Sequence, residues 1–123
     1  MNTSPKNEQL YKADHGKLRA SLLFEGMPRS LMMISAVLSY GAQKYEAHSW
    51  KKVEGERYKD AKFRHLLTGM LGEESDEESG LLHSAHELCN SLFILEQKLE
   101  ALSVEEFKEL LEYNSPPQGH KDG

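Results

Sequence analysis

The chain has one cysteine, Cys89, in 123 residues, so it cannot form an intrachain disulfide. Cys89 lies within an apolar helical pattern and reads as a small core residue. No apolar run reaches membrane-spanning length, and the opening MNTSPKNEQL lacks the apolar core of a signal peptide. These absences predict a cytoplasmic protein with no membrane contact. Positive charge is also scarce: 15 Lys and Arg stand against 20 Asp and Glu, a net charge of -5. That balance excludes nucleic-acid binding through a broad basic surface. There is no glycine-rich phosphate loop and no Ser/His/Asp set of recognisable spacing. The absence of a His-Asp dipeptide argues against an HD-type phosphohydrolase. Hydrophobic residues make up only 38%, a low share for a self-sufficient monomer of one domain, so a homo-oligomer, a dimer or tetramer, is expected.

What the chain does have is concentrated between Gly72 and Asn90. That stretch opens with five carboxylates (Glu73, Glu74, Asp76, Glu77, Glu78) and then carries His83, His86 and Asn90, all within nineteen residues. The spacing i, i+3, i+7 puts the last three side chains within an arc of roughly 60° on a helix. Hard oxygen donors beside a His/His/Asn stripe point to a divalent-metal site acting on a polar, phosphorylated substrate. Neutral imidazole could bind the metal, and imidazolium could bind phosphate. The plain alternative is a solvated acidic run favoured by the helix dipole.

The pattern of the chain predicts an all-α fold with no strand and no internal repeat. Residues 1–13 read as flexible, 14–113 as the helical domain and 114–123 as a disordered tail. A first long helix, Arg29 to about Tyr45, starts near Pro28 and is apolar all round, so it is expected at the centre. Residues 46–56 are irregular. A second helix, Arg57 to Leu71, has an apolar face of Phe63, Leu66, Leu67, Met70 and Leu71, with His65 at its margin and Gly72 ending it. A third, Gly80 to Leu99, capped by Asp76 or Ser79, presents Leu81, Ala85, Leu88, Leu92 and Leu95, with the histidines opposite and half-buried. Ser103 and Glu106 form a capping box opening a fourth helix.

Other residues could join the same site. Arg64 belongs to an Arg57/Asp60/Arg64 face that either lines the cleft and grips phosphate or is a surface ladder. Lys44, Tyr45, His48 and Trp50 offer an aromatic face and polar edges to a base, although Trp50 could equally be core. Lys17 and Arg19 add positive charge.

With D-x-GK-x-R (Asp14 to Arg19), YGAxKYxxHxW (Tyr40 to Trp50), RYxDAxxRHL (Arg57 to Leu66) and GExxDxESGxxHxxHxxxN (Gly72 to Asn90) in order, the chain resembles the phage dATP/dGTP diphosphohydrolases. These are a MazG-like group of small all-α nucleotide pyrophosphatases, and the resemblance runs from about Asp14 to Glu96. It implies an oligomeric four-helix enzyme that cleaves dGTP or dATP between the α- and β-phosphates, with Mg or Mn as cofactor. It implies metal ligands at Glu73, Asp76 and Glu78, with His83 and Glu87 as further candidates. Catalytic roles would fall to Glu73, Asp76, His86 and His65. Substrate contacts would come from Lys17, Arg19, Lys44, Tyr45, His48, Trp50, Arg64 and Asn90. The broader superfamily carries EExxE on one helix and ExxD on the next. Here Glu73-Glu74-x-x-Glu77 falls in a loop, and the second motif is Glu87-x-x-Asn90, with asparagine in place of aspartate. A non-catalytic helical module that binds nucleotides, or an acidic interaction module, is the alternative.

Overall fold

Local signals place the helix ends in the computed structural model, which describes residues 17–112. Among the described residues five helices follow in order: α1 Ala20–Gly26, α2 Pro28–Lys44, α3 Gly55–Met70, α4 His83–Glu100 and α5 Val104–Leu110. A 3-10 turn, Ser49–Lys52, interrupts the α2–α3 connection. The fold is all-α, and the described residues add only an isolated bridge between Ser75 and Leu82. The expected loose ends, 1–13 and 114–123, lie outside the described residues, as do Asp14 and Tyr113.

Pro28 sits in the first turn of α2, where its missing N–H costs no hydrogen bond. The residue before a proline is pushed out of the helical region, and Met27 accordingly has φ -133° and ψ 49°. The break bends the chain by 87° between α1 and α2. Helix α1 is a fifth helix beyond the expected four; its seven residues are too short for a periodicity signal. Gly72, at φ 101°, follows the end of α3, and its N–H returns to the Gly69 carbonyl. Ser103 and Glu106 exchange side-chain and backbone hydrogen bonds at 2.9 and 3.1 Å, the expected capping box.

Helix α4 begins at His83, three residues later than expected, and neither Asp76 nor Ser79 caps it. Gly80, at φ 74°, turns the chain back, and the loop carbonyl of Glu74 accepts the His83 N–H at 2.9 Å. Asp76 instead accepts the Ser79 N–H at 2.8 Å and holds the loop itself together.

Helices α3 and α4 pack as an antiparallel pair: Gly55 faces Gln97 at one end, and Gly69 faces His83 at the other. Helix α2 lies against α4 through Val37, Ala85 and Cys89, with Met33, Ile34 and Phe93 around them. This arrangement corrects three expectations about faces. Only Val37 of α2 is buried, and Met32 and Leu38 are exposed, because α2 covers one stripe rather than its whole girth. On α3 the covered stripe is Tyr58, Ala61, His65 and Thr68, while Phe63, Leu66, Leu67 and Met70 face outward. On α4, Ala85 is buried but Leu88, Leu92 and Leu95 are exposed; His83 and Asn90 go inside, at 5% and 8% exposure. Among the described residues, no single helix is long and apolar enough to cross a membrane.

Candidate active site

A cleft of about 1170 Å³ opens among α2, the Ser49–Lys52 turn, α3 and α4. The segment after α2 forms one wall because its carbonyls are tied across the molecule. Tyr58 donates its hydroxyl to the Trp50 carbonyl at 2.7 Å, and Gln97 donates to the carbonyls of Trp50 and Val53 at 3.2 and 2.9 Å. The Trp50 ring stacks on Phe93 at 4.7 Å, a contact of about 0.5–1.5 kcal/mol. His48 adopts φ 61°, a left-handed conformation that only a few non-glycine residues take. Lys44, Tyr45, His48 and Trp50 all line this cleft, and so do His65, Asp76, Glu78, His86 and Asn90. The tertiary structure therefore gathers nine of the expected site residues, from four separate stretches of chain, around one space.

Three histidines meet here, His65 and His86 lining the cleft and His83 in contact with His65 outside that lining. His65 stacks flat on His86 at 4.6 Å with 8° between the rings, and its Nδ1 lies 2.8 Å from the Nδ1 of His83. The other nitrogen of His83, Nε2, lies 3.0 Å from a Glu73 carboxylate oxygen. A carboxylate only accepts, so Nε2 carries a proton, and the neutral form of this ring has its lone pair on Nδ1, toward His65. The Ser79 hydroxyl accepts from the Leu81 N–H at 3.1 Å and lies 2.7 Å from His86 Nε2, a contact in which the tautomer of His86 sets which partner donates. Burial, and next the positive charge of neighbouring histidines, holds the His65 pKa below its ordinary value. Burial likewise lowers the His86 pKa against the opposing pull of Asp76. Both rings are thus neutral at pH 7. Burial pushes the Asp76 carboxyl up, but the Ser79 hydrogen bonds and the nearby imidazoles outweigh it and leave it low. The ligand atoms of His65, Asp76 and His83 lie within 4.8 Å of one another, a spacing that a single ion can span.

The upper rim is charged. Lys44 pairs with Glu78, and Tyr40 also bonds to that carboxylate. The Lys44 hydrogen bond lowers the Glu78 pKa, and the pair raises that of Lys44, so both stay ionised.

The remaining expected residues sit elsewhere. Glu73 is bonded to His83 and lies outside the three-residue group. Glu87 lines a smaller hollow together with His65, His83 and Gly69, and not the cleft. Arg64, Lys17 and Arg19 are exposed and do not line the cleft. Arg57, two turns before Arg64 on the same face, lines it instead. Sequence reasoning passed over Tyr40, Tyr58, Ser79 and Gln97. Gln97 did carry a signal: it continues the His83, His86, Asn90 stripe by a further seven residues.

A family model described as dATP/dGTP diphosphohydrolase, N-terminal, matches residues 7–106. A dATP/dGTP diphosphohydrolase of Salmonella phage PMBT28 is 37% identical over 83 residues, which are 68% of this chain and 28% of that protein. The chain thus spans less than a third of that relative's length. No solved structure matches the chain significantly.

Proposed function

The chain belongs to the dATP/dGTP diphosphohydrolase N-terminal family, and on that premise we propose that it hydrolyses a purine deoxynucleoside triphosphate to the monophosphate and pyrophosphate. The observation that carries this reading is the single cleft that holds cations, an aromatic wall and a carboxylate–histidine floor together. Of the cations that line it, Lys44 and Arg57 would meet the triphosphate, while Lys51 is paired with Glu100. Lys44 would exchange Glu78 for a phosphate oxygen. Tyr45 and Trp50 would receive the base, and Asn90 would hold a polar atom of the substrate.

His65, Asp76 and His83 would hold a divalent metal, Mg or Mn in the family reading. When bound, it supplies Lewis acidity and neutralises phosphate charge. His86 lines the cleft, and with its Nε2–H directed to the Ser79 hydroxyl its Nδ1 keeps a lone pair that would take a proton from water as the water oxygen attacks the α-phosphorus. The bond from that phosphorus to the bridging oxygen breaks, and pyrophosphate leaves. The shortage of buried apolar side chains supports the further proposal that the working form is a homo-oligomer.

Product analysis tests the activity. The purified protein is incubated with each common deoxynucleoside triphosphate and Mg or Mn, and the products are separated by anion exchange. Deoxynucleoside monophosphate with pyrophosphate is the expected result, with dGTP or dATP the best substrates. Diphosphate with phosphate, or nucleoside with triphosphate, overturns the bond assignment. A second reading has a specific basis: the relative is more than three times the length of the matched segment, so its remaining chain could supply the chemistry. Nucleotide binding without turnover would select that non-catalytic reading.

A further inference from the structure

We propose that His65 and His83, each through Nδ1, together with Asp76, form a nitrogen-rich metal site that selects a first-row transition ion over Mg²⁺, with Glu73 as its positioning carboxylate. The first observation is the 2.8 Å between the two Nδ1 atoms. Two ligands at adjacent positions around one ion, each with a bond of about 2.1 Å, stand roughly 3.0–3.4 Å apart. The imidazoles therefore already approach that spacing, with a shared hydrogen where the ion would sit. The second observation is the tautomer. Glu73 takes the Nε2–H of His83 at 3.0 Å, which leaves Nδ1 as the donor lone pair. A carboxylate on the far nitrogen of a ligating histidine is the usual outer partner in metal sites, where it fixes ring orientation and raises basicity.

The third observation is access. His83 is buried at 5% exposure and lines only the smaller hollow, His65 lines both spaces and Asp76 lines the cleft, so the ion would have the substrate space on its Asp76 side. Three protein ligands with open positions mark a catalytic rather than a structural arrangement. The donor set decides the metal. Mg²⁺ keeps an oxygen shell and several waters, and two imidazoles with one carboxylate serve it poorly. The same set suits first-row transition ions. The other carboxylates offer Mg²⁺ little here: Glu78 is held by Lys44 and Tyr40, and Glu87 does not line the cleft.

The use made of the ion rests on the proposed hydrolysis, but the test needs no turnover. The full chain is stripped with chelator and titrated with Mn²⁺, and the loss of the free-ion paramagnetic resonance signal is followed with and without a thousandfold excess of Mg²⁺. One Mn²⁺ per chain, retained against Mg²⁺ and showing nitrogen coupling in pulsed resonance, is expected. His65→Ala should abolish binding, and Glu73→Gln should weaken it about 10–100-fold with helix content unchanged by circular dichroism. Displacement by Mg²⁺ in proportion to its excess, or bound Mn²⁺ without nitrogen coupling, overturns the proposal. The coupling is read on the wild-type protein, so a variant that fails to fold does not leave the question open. Nitrogen-coupled Mn²⁺ without nucleotide hydrolysis would overturn the functional reading and leave this site standing.

Discussion

Cys89 shows how one residue's surroundings set its chemistry. It is 1% exposed, its thiol donates to the Ile34 carbonyl at 3.8 Å, and burial pushes its pKa up to about 11. The thiolate is the reactive form, so the native thiol should resist an aromatic disulfide reagent at pH 8 and titrate as one thiol after denaturation. Rapid stoichiometric reaction of the folded protein would contradict the packing around α4. Gln97 acts through two backbone carbonyls of the Trp50 wall. Gln97→Ala leaves both without their donor, with an expected loss of about 1–2 kcal/mol in a urea melt. Amide exchange should rise in residues 45–54 and stay flat in α5. Uniform exchange across the chain would mean that Gln97 does not fix this wall.

Two elements carry predictions of their own. Helix α5 has only seven residues and depends on its capping box. Ser103→Ala should cost about 1 kcal/mol of helix stability. The Ser103 backbone N–H, and then its side chain, depress the Glu106 pKa. A depressed folded pKa means that the box contributes fully above the ordinary carboxylate value of 4.5, and the contribution fades as pH falls through the lower folded value. Amide protection of α5 should therefore drop at acid pH in the wild type and change less in Glu106→Gln. The loop before α4 depends on Gly80, which sits at φ 74°. Gly80→Ala forces a side chain into the left-handed region and should cost about 1 kcal/mol or more. It should also displace Asp76, whose N–H bonds to the Leu81 carbonyl at 2.8 Å, so metal affinity should fall along with stability. A stability loss with intact metal binding would separate Asp76 from the site.

The whole molecule leaves large apolar side chains uncovered on α3 and α4. Met70 is 74% exposed and Leu71 89%, with Phe63, Leu66 and Leu67 on the same helix side. Patches of this kind mark association surfaces. Light scattering after size exclusion should report a dimer or tetramer, and Leu67→Glu should shift it toward monomer without loss of helix. A wild-type monomer at high concentration would remove the oligomer from the proposal.

Much of this was legible in the chain itself, and the rest was not, for one physical reason. Pro28, Gly72 and the Ser103–Glu106 box set helix ends through contacts within a few residues, so sequence fixes them wherever the helix lies. The four stretches that carry the resemblance were readable for the same reason: their chemistry is written in residue types and spacing. Which face turns inward is not local. Helix α3 offers two stripes, one of Phe63, Leu66, Leu67 and Met70 and one of Tyr58, Ala61 and His65, and periodicity ranks the first as core. The structure covers the second, because α4 meets it with His83, His86 and Phe93. Only that packing decided that Glu73 would serve His83, that Arg57 rather than Arg64 would line the cleft, and that His65 would join Asp76 and His83. Side-chain pairing across helices depends on a rotation that one helix's sequence does not contain.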